Sequence, residues 1–295
     1  MIMNSKGNLD STRNNLLENF KSYMVLKNYS PRTIKTYVSI LDYFFRYCEL
    51  YFPDDVLNDD LVRKYLLHRF DSGCCWQTVN SDYSAIQKFF KNIVFLEWSL
   101  IKLPRPRKEK PLPTIFSKED IVKIIESATT FKQQILLTFI YVTGARLSEA
   151  VNLKMDDIDG NRCQIRINGG KGAKDRLILV PAQFIHTLRE YYIKVKPEIY
   201  LFNGATKGVP YAPRTLQYTL QQAKRRARIS KKGSIHTLRN CYATHHLENG
   251  TDLVFLQEQM GHKNLRTTIR YIGLCVERHR YINHPIQSLD IKYHH

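Results

Sequence analysis

Twelve residues divide this chain. Lys102-Leu103-Pro104-Arg105-Pro106-Arg107-Lys108-Glu109-Lys110-Pro111-Leu112-Pro113 holds four prolines, five basic residues and one acid. Each proline fixes φ and removes a backbone donor, so no helix runs through the stretch and an extended strap is expected. What lies before it and after it must fold as separate bodies. The chain has 295 residues, enough for a core on each side. The expected organisation is a helical domain over 12–101, a linker over 102–113 and a second domain over 114–295.

The first domain reads as a four-helix bundle. Leu16, Leu17, Phe20, Tyr23 and Met24 recur at helical spacing, as do Ile34, Tyr37, Val38, Leu41, Phe44 and Phe45. Ser30-Pro31 is a helix opening, with the serine as cap and the proline first in the helix. Asp59-Asp60 opens a third helix through Val62, Tyr65, Leu66 and Phe70, and a fourth carries Tyr83, Ile86, Phe89, Phe90 and Ile93. These aromatic residues are expected in the core rather than stacked on bases. Lys27, Arg32, Lys35 and Lys88 suit either phosphate contact or a solvated face.

The second domain mixes helices with a small sheet. Ser117 and Asp120 form a capping-box pattern, and Gly144 suits the C-cap of a helix over about 133–142. Ser148-Glu149 opens a helix expected to run through Leu153. Cys163–Ile167 and Arg176–Val180 alternate as two strands joined by Asn168-Gly169-Gly170-Lys171-Gly172-Ala173-Lys174-Asp175. This loop is not an ATP-binding one: glycine follows Lys171 where Ser or Thr is required, and a strand follows, not a helix. Met155–Gly160 fails as a calcium loop, because its first ligand position is a methionine. Pro181 to about Lys194 and the stretch from Pro213-Arg214 read as helices; the second ends in the basic run 224–232. His236 and Arg239, three apart, are expected to point the same way. Asp252 starts a helix to Met260, and Asn264 is the expected cap of the short helix carrying Tyr271.

Charge narrows the partner. Lys and Arg number 45 against 27 Asp and Glu, a net charge of +18. That surplus suits a polyanion, nucleic acid above all. No run approaches the length of a membrane span, and the polar N-terminus lacks a signal peptide's apolar stretch. The six cysteines have neither zinc spacing nor a disulfide framework. A cytoplasmic protein with reduced thiols is expected.

Arg146, Lys171, His236, Arg239, His262 and Tyr271 together suit phosphoryl transfer without metal or other cofactor. Charge builds on the non-bridging oxygens as a nucleophile attacks, and paired guanidinium donors can hold them. A lysine can protonate the leaving oxygen, His236 can take the phenolic proton and His262 can donate a hydrogen bond. Tyr271 is the nucleophile. Singly, each has an ordinary explanation, Arg146 as an ion-pair partner of Glu149 and Tyr271 as a core residue. Their conjunction in one chain favours the reading.

Those motifs resemble the tyrosine recombinases of the Xer and phage-integrase type. Thr143-Gly144-Ala145-Arg146-Leu147-Ser148-Glu149 matches the first arginine box, Gly170–Arg176 the lysine hairpin, His236-Thr237-Leu238-Arg239 with Ala243-Thr244-His245 the second box, and Gly261-His262 with Tyr271 the last. Ala145 and Met260 depart mildly from the pattern, and Asn240 stands where histidine is common. The resemblance implies a fold that is mainly α with a small antiparallel sheet, arranged as a two-domain, C-shaped DNA clamp. It implies site-specific cleavage and rejoining through a 3′-phosphotyrosine, a tetramer on two sites of double-stranded DNA, a Holliday junction and a tail beyond Tyr271 docking on a neighbouring subunit. Accessory DNA-binding proteins are possible partners. Arg105, Arg107, Lys108, Lys174, Arg214, Lys224 and Arg225 are the expected DNA contacts. The rival readings are an architectural DNA-binding protein without catalysis and a type IB topoisomerase.

Overall fold

Ser30 does open a helix: its Oγ accepts from the N–H of Thr33 at 3.2 Å, and Pro31 follows at the first position. The computed structural model describes residues 6–95, 113–169 and 175–275, with side chains from residue 12 onward. The chain forms two compact units, Met1–Lys110 and Pro111–His295. The proline-rich stretch lies outside the described residues except for Pro113.

In the first unit α1 (Lys6–Leu26), α2 (Pro31–Tyr51), α3 (Asp59–Asp71) and α4 (Trp76–Phe89) pack together, and α4 runs into a π-helical turn, Phe90–Val94. Phe20, Phe44, Phe45, Tyr65, Phe89 and Phe90 are all buried. Phe44 meets Tyr65 edge-on with centroids 5.1 Å apart, and Phe45 meets Phe89 at 5.4 Å. The aromatic spacing therefore builds core, as expected, except that Phe70 is exposed. A buried acid escapes the periodicity argument. Asp82 accepts from Arg69 Nε at 2.8 Å and from the Tyr65 hydroxyl at 3.3 Å. Burial raises its pKa, and Arg69 pulls it back.

The second unit runs α5 (Lys118–Glu126), α6 (Phe131–Thr143), α7 (Leu147–Val151), a 3-10 turn, β1 (Ile158–Asp159), β2 (Gln164–Ile167), β3 (Arg176–Leu179), α8 (Ala182–Val195), α9 (Pro213–Arg226), α10 (Ile235–Glu248), α11 (Leu253–Met260) and α12 (Arg266–Ile272). Ser117 and Asp120 exchange both bonds of the capping box. Helix α6 buries Ile135, Leu136, Leu137, Phe139 and Ile140, which lie around most of its circumference, so it forms the centre of the unit. The antiparallel sheet has the order β1-β2-β3 and pairs Ile165 with Ile178. Ile165, Ile167 and Ile178 face the core, while Leu177 and Leu179 face outward. The expected fold class, mainly helical with a small antiparallel sheet, is the one adopted.

Three boundaries differ from expectation. Helix α7 stops before Leu153, whose carbonyl pairs instead with the Leu201 N–H at 2.8 Å. Helix α9 ends at Arg226, and the rest of the basic run leaves the helix through Arg228 at φ 55°. Leu265, not Asn264, is the N-cap of α12, although the Asn264 side chain still accepts from the Arg266 N–H at 2.9 Å.

Candidate active site

Two glycine caps build the floor of the site. Helix α6 ends at Gly144 with φ 58°, and α11 ends at Gly261 with φ 62°. Both are left-handed, where a side chain is strained. A Cβ on Gly144 would also collide with the Tyr242 ring, and one on Gly261 would lie 2.8 Å from Arg176 Cδ. The caps leave two helix C-termini, with their unpaired carbonyls, facing one side chain. Arg239 on α10, 1% exposed, donates Nη1 to the Gly144 carbonyl and Nη2 to the Met260 carbonyl, the latter at 2.7 Å. A buried guanidinium is tolerated here because helix ends supply lone pairs and the negative end of their dipoles. Burial, and next Arg146, lower its pKa to about 10. It remains charged at neutral pH.

Arg146 follows Gly144 by two residues and is half-buried. Its Nη1 donates to Glu149 Oε1 at 2.7 Å, and its backbone N–H donates to Oε2 at 2.8 Å. The ordinary explanation of Arg146 as an ion-pair partner is thus true as well. Glu149 is shared: Arg176 grips it with Nη1 at 3.0 Å and Nη2 at 2.8 Å, while its Nε donates to the Gln259 carbonyl at 3.0 Å. Burial alone would raise the Glu149 pKa, but the bonds from Arg176 and Arg146 outweigh it and hold the group at about 2.

The hydrogen bonds fix the tautomer of His262. Arg239 Nη2 can only donate, so His262 Nε2, 3.0 Å away, accepts. The ring proton then sits on Nδ1 and faces Thr268 Oγ1 at 2.9 Å. Burial, followed by Arg239, Arg146, Arg176 and Arg270, holds the His262 pKa at about 4. With both nitrogens engaged inside the protein, His262 braces Arg239, and its one donor is spent on Thr268. On its face lies Tyr271, with ring centroids 6.2 Å apart and planes 11° apart. Tyr271 is 3% exposed, packs with Tyr242, Ala243, Leu256 and Met260, and donates its hydroxyl to Asn240 Oδ1 at 3.2 Å. Burial raises its pKa, against Arg239, Arg270 and Arg146.

His236 is exposed at the surface, unlike Arg239 three residues later. Arg239 turns inward to the helix ends, while His236 stays at the surface within reach of its charge. Surrounding protein, then Arg239, Arg270 and Arg146, lower the His236 pKa. His236, His262 and Tyr271 therefore lie in the field of the same three guanidinium groups. Arg146 and His236 also line one pocket of about 130 Å³ with Gln217 and Ser234. A larger concavity, about 1000 Å³, lies elsewhere, over the sheet and α8. A shallow cationic site suits a group that stays attached to a large polymer better than a small ligand needing enclosure.

Of the six expected residues, five come together; Lys171 lies outside the described residues, as do Arg105, Arg107, Lys108 and Lys174. Arg214 and Arg225 are exposed on α9. Lys224, expected at DNA, is instead 6% exposed, with its ammonium 5.5 Å from the Phe116 ring centre. The sequence reading gives Arg176 no role beyond closing the hairpin motif and opening a strand, notes Asn240 only as a departure from the family pattern, and passes over Arg270 and Thr268. Among the described residues no three His, Cys, Asp or Glu side chains form a metal-holding group, and no helix is long and apolar enough to cross a membrane.

Residues 115–278 match the phage integrase family, and residues 16–100 match the phage integrase N-terminal SAM-like domain. Tyrosine recombinase XerA of Pyrococcus horikoshii is 30% identical over 269 residues, covering 90% of this chain and 91% of that protein. The crystal structure of XerH site-specific recombinase bound to palindromic difH substrate, a post-cleavage complex, aligns with a TM-score of 0.66 at 26% identity, covering 84% of this chain and 78% of that one. The lambda integrase tetramer bound to a Holliday junction shares the fold with a TM-score of 0.73 at 16% identity, covering 95% and 80%. With its motifs in order, its arginines gathered on two helix ends and these matches along most of its length, the chain belongs to the phage integrase family and is a site-specific recombinase of the Xer-like tyrosine type.

Proposed function

We propose that this recombinase cuts and rejoins double-stranded DNA through a covalent 3′-phosphotyrosine at Tyr271. The observation that carries the reading is the phenol stacked on His262 in the common field of Arg146, Arg239 and Arg270. Arg146 holds the non-bridging oxygens, and Arg239, buried behind it with its donors on helix carbonyls, adds its charge to stabilise what grows on them. The phenolic oxygen bonds to phosphorus as the bond from phosphorus to the 5′-oxygen breaks. His236, neutral at pH 7 because its pKa is lowered, takes the phenolic proton. Lys171, in the segment joining β2 and β3, gives a proton to the leaving 5′-oxygen. His262 keeps Arg239 and the Tyr271 ring in place. Because the ester conserves the bond energy, attack by a 5′-hydroxyl rejoins the strand without ATP or metal.

Arg214 and Arg225 on α9, with Arg105, Arg107, Lys108 and Lys174, contact the DNA backbone. Four subunits hold two sites and exchange strands through a Holliday junction, with the residues beyond Tyr271 joining neighbours. DNA-bound relatives such as the XerH complex and the lambda integrase tetramer support this assembly.

The test is a suicide substrate, in which cleavage frees a short fragment and traps the ester. The wild type is expected to give a protein–DNA band that survives denaturation. Tyr271→Phe is expected to bind DNA and give no band. An adduct formed by that variant, or a strict magnesium requirement, refutes the scheme.

A further inference from the structure

The Tyr271 hydroxyl is not aimed outward. It is 3% exposed, beneath α10 and α11, and its proton is committed to Asn240 Oδ1 at 3.2 Å. A DNA phosphodiester belongs to a thick, charged polymer and cannot enter that space. An amide oxygen is also no base at neutral pH, so this bond does nothing to activate the phenol. It does hold the ring in place. Helix α12 is seven residues long and is tied down by two polar contacts from its buried face. One is Thr268 with His262 at 2.9 Å; the other is Tyr271 with Asn240. Asn240 is itself 9% exposed, so water does not readily replace it.

We propose that Asn240 is a positioning residue that parks the Tyr271 hydroxyl inside the protein, and that attack on DNA requires this bond to break. The inference rests on Tyr271 being the nucleophile. This neutral hydrogen bond then adds to the hold that the Thr268–His262 contact and the apolar packing of the ring already exert. Removing it favours the released phenol by a factor of about three to ten, the range such bonds span. A carboxylate at the same position accepts the hydroxyl more strongly and moves the balance the other way.

The experiment compares the full chain with Asn240→Ala and Asn240→Asp in single-turnover cleavage of a suicide DNA substrate at saturating protein. In parallel, tetranitromethane nitration of Tyr271 is followed by peptide mass spectrometry in the absence of DNA. Asn240→Ala is expected to cleave about three- to tenfold faster and to be nitrated faster at Tyr271. Asn240→Asp is expected to be slower in both. A role confined to holding the fold together would not move the two variants in opposite directions. Asn240→Ala cleavage at or below the wild-type rate, unchanged nitration, or Asn240→Asp cleavage no slower than wild type overturns the proposal. If circular dichroism shows that Asn240→Ala does not fold, Asn240→Asp decides by the same criteria. Tyr271→Phe run alongside separates the two ideas: an adduct from it refutes the nucleophile, whereas its silence with indifferent Asn240 variants refutes only the latch.

Discussion

Replacing Glu149 by glutamine tests the electrostatic reading of the site most directly. Glu149 accepts from both Arg176 Nη atoms, from Arg146 Nη1 and from the Arg146 backbone N–H. These contacts hold its pKa at about 2, against an ordinary 4.5. At about 1.4 kcal/mol per unit, that gap corresponds to about 3 kcal/mol of stability at neutral pH. Glutamine keeps one acceptor and turns an NH2 group toward a guanidinium, so most of that contribution is expected to vanish. For a unit the size of Pro111–His295, the melting temperature should fall by about 6–12 °C.

The pH dependence gives the sign. A carboxyl whose folded pKa lies below its unfolded value stabilises fully above the unfolded pKa. That stability is lost as pH falls from about 4.5 toward about 2. Scanning calorimetry of wild type and Glu149→Gln should therefore show the full gap at pH 7 and a closing gap between about pH 5 and pH 2. A gap that ignores pH, or one under about 1 kcal/mol at pH 7, would show that the carboxylate is not the charge holding these arginines.

Arg239→Lys keeps the charge but cannot serve two carbonyls and the His262 nitrogen from one rigid plane. Adduct formation should drop about 10²–10³-fold with DNA affinity nearly kept, and equal losses of both would refute the assignment. Gly144→Ala forces a left-handed alanine against the Tyr242 ring, so the larger unit should lose at least about 1–2 kcal/mol in calorimetry; an unchanged melt counts against the cap. Asp82→Asn removes the charge that Arg69 meets in the first unit, and urea unfolding followed by circular dichroism should show a loss of about 2 kcal/mol there, with adduct chemistry intact.

Local chemistry was readable from the sequence where one or two turns of chain decide the outcome. Ser117 with Asp120, Ser30 before Pro31 and Gly144 after α6 are such cases, because each bond closes within a few residues. The alternation of Ile165 and Ile167 likewise predicts which face of β2 is buried. Arg239 shows where this reasoning stops. Spacing of three pairs it with His236, yet its direction is set by Gly144 and Met260, which lie 95 and 21 residues away. Lys224 fails for the same reason. Its neighbours in sequence are basic, but its neighbour in space is the Phe116 ring. The tautomer of His262 depends on contacts with Arg239 and Thr268, and only folding fixes it.

How the arginines are held explains why the site can want an anion. Had the protein buried Arg239 against a carboxylate, the pair would be close to neutral and would offer a phosphate little. It is held instead by the ends of α6 and α11, whose carbonyls satisfy the N–H donors while contributing only partial charge. The full negative charge of Glu149 is placed one shell back, shared between Arg146 and Arg176. Desolvation is thereby offset without the positive field being cancelled. Burial first, and then Arg239, Arg146, Arg176 and Arg270, hold the His262 pKa at about 4, the arginine part being the mark of that field. The same field lowers the cost of ionising the Tyr271 phenol, while burial raises it. Under the proposed mechanism, moving that ring out of its apolar nest would remove the opposing influence and couple release of the phenol to its activation.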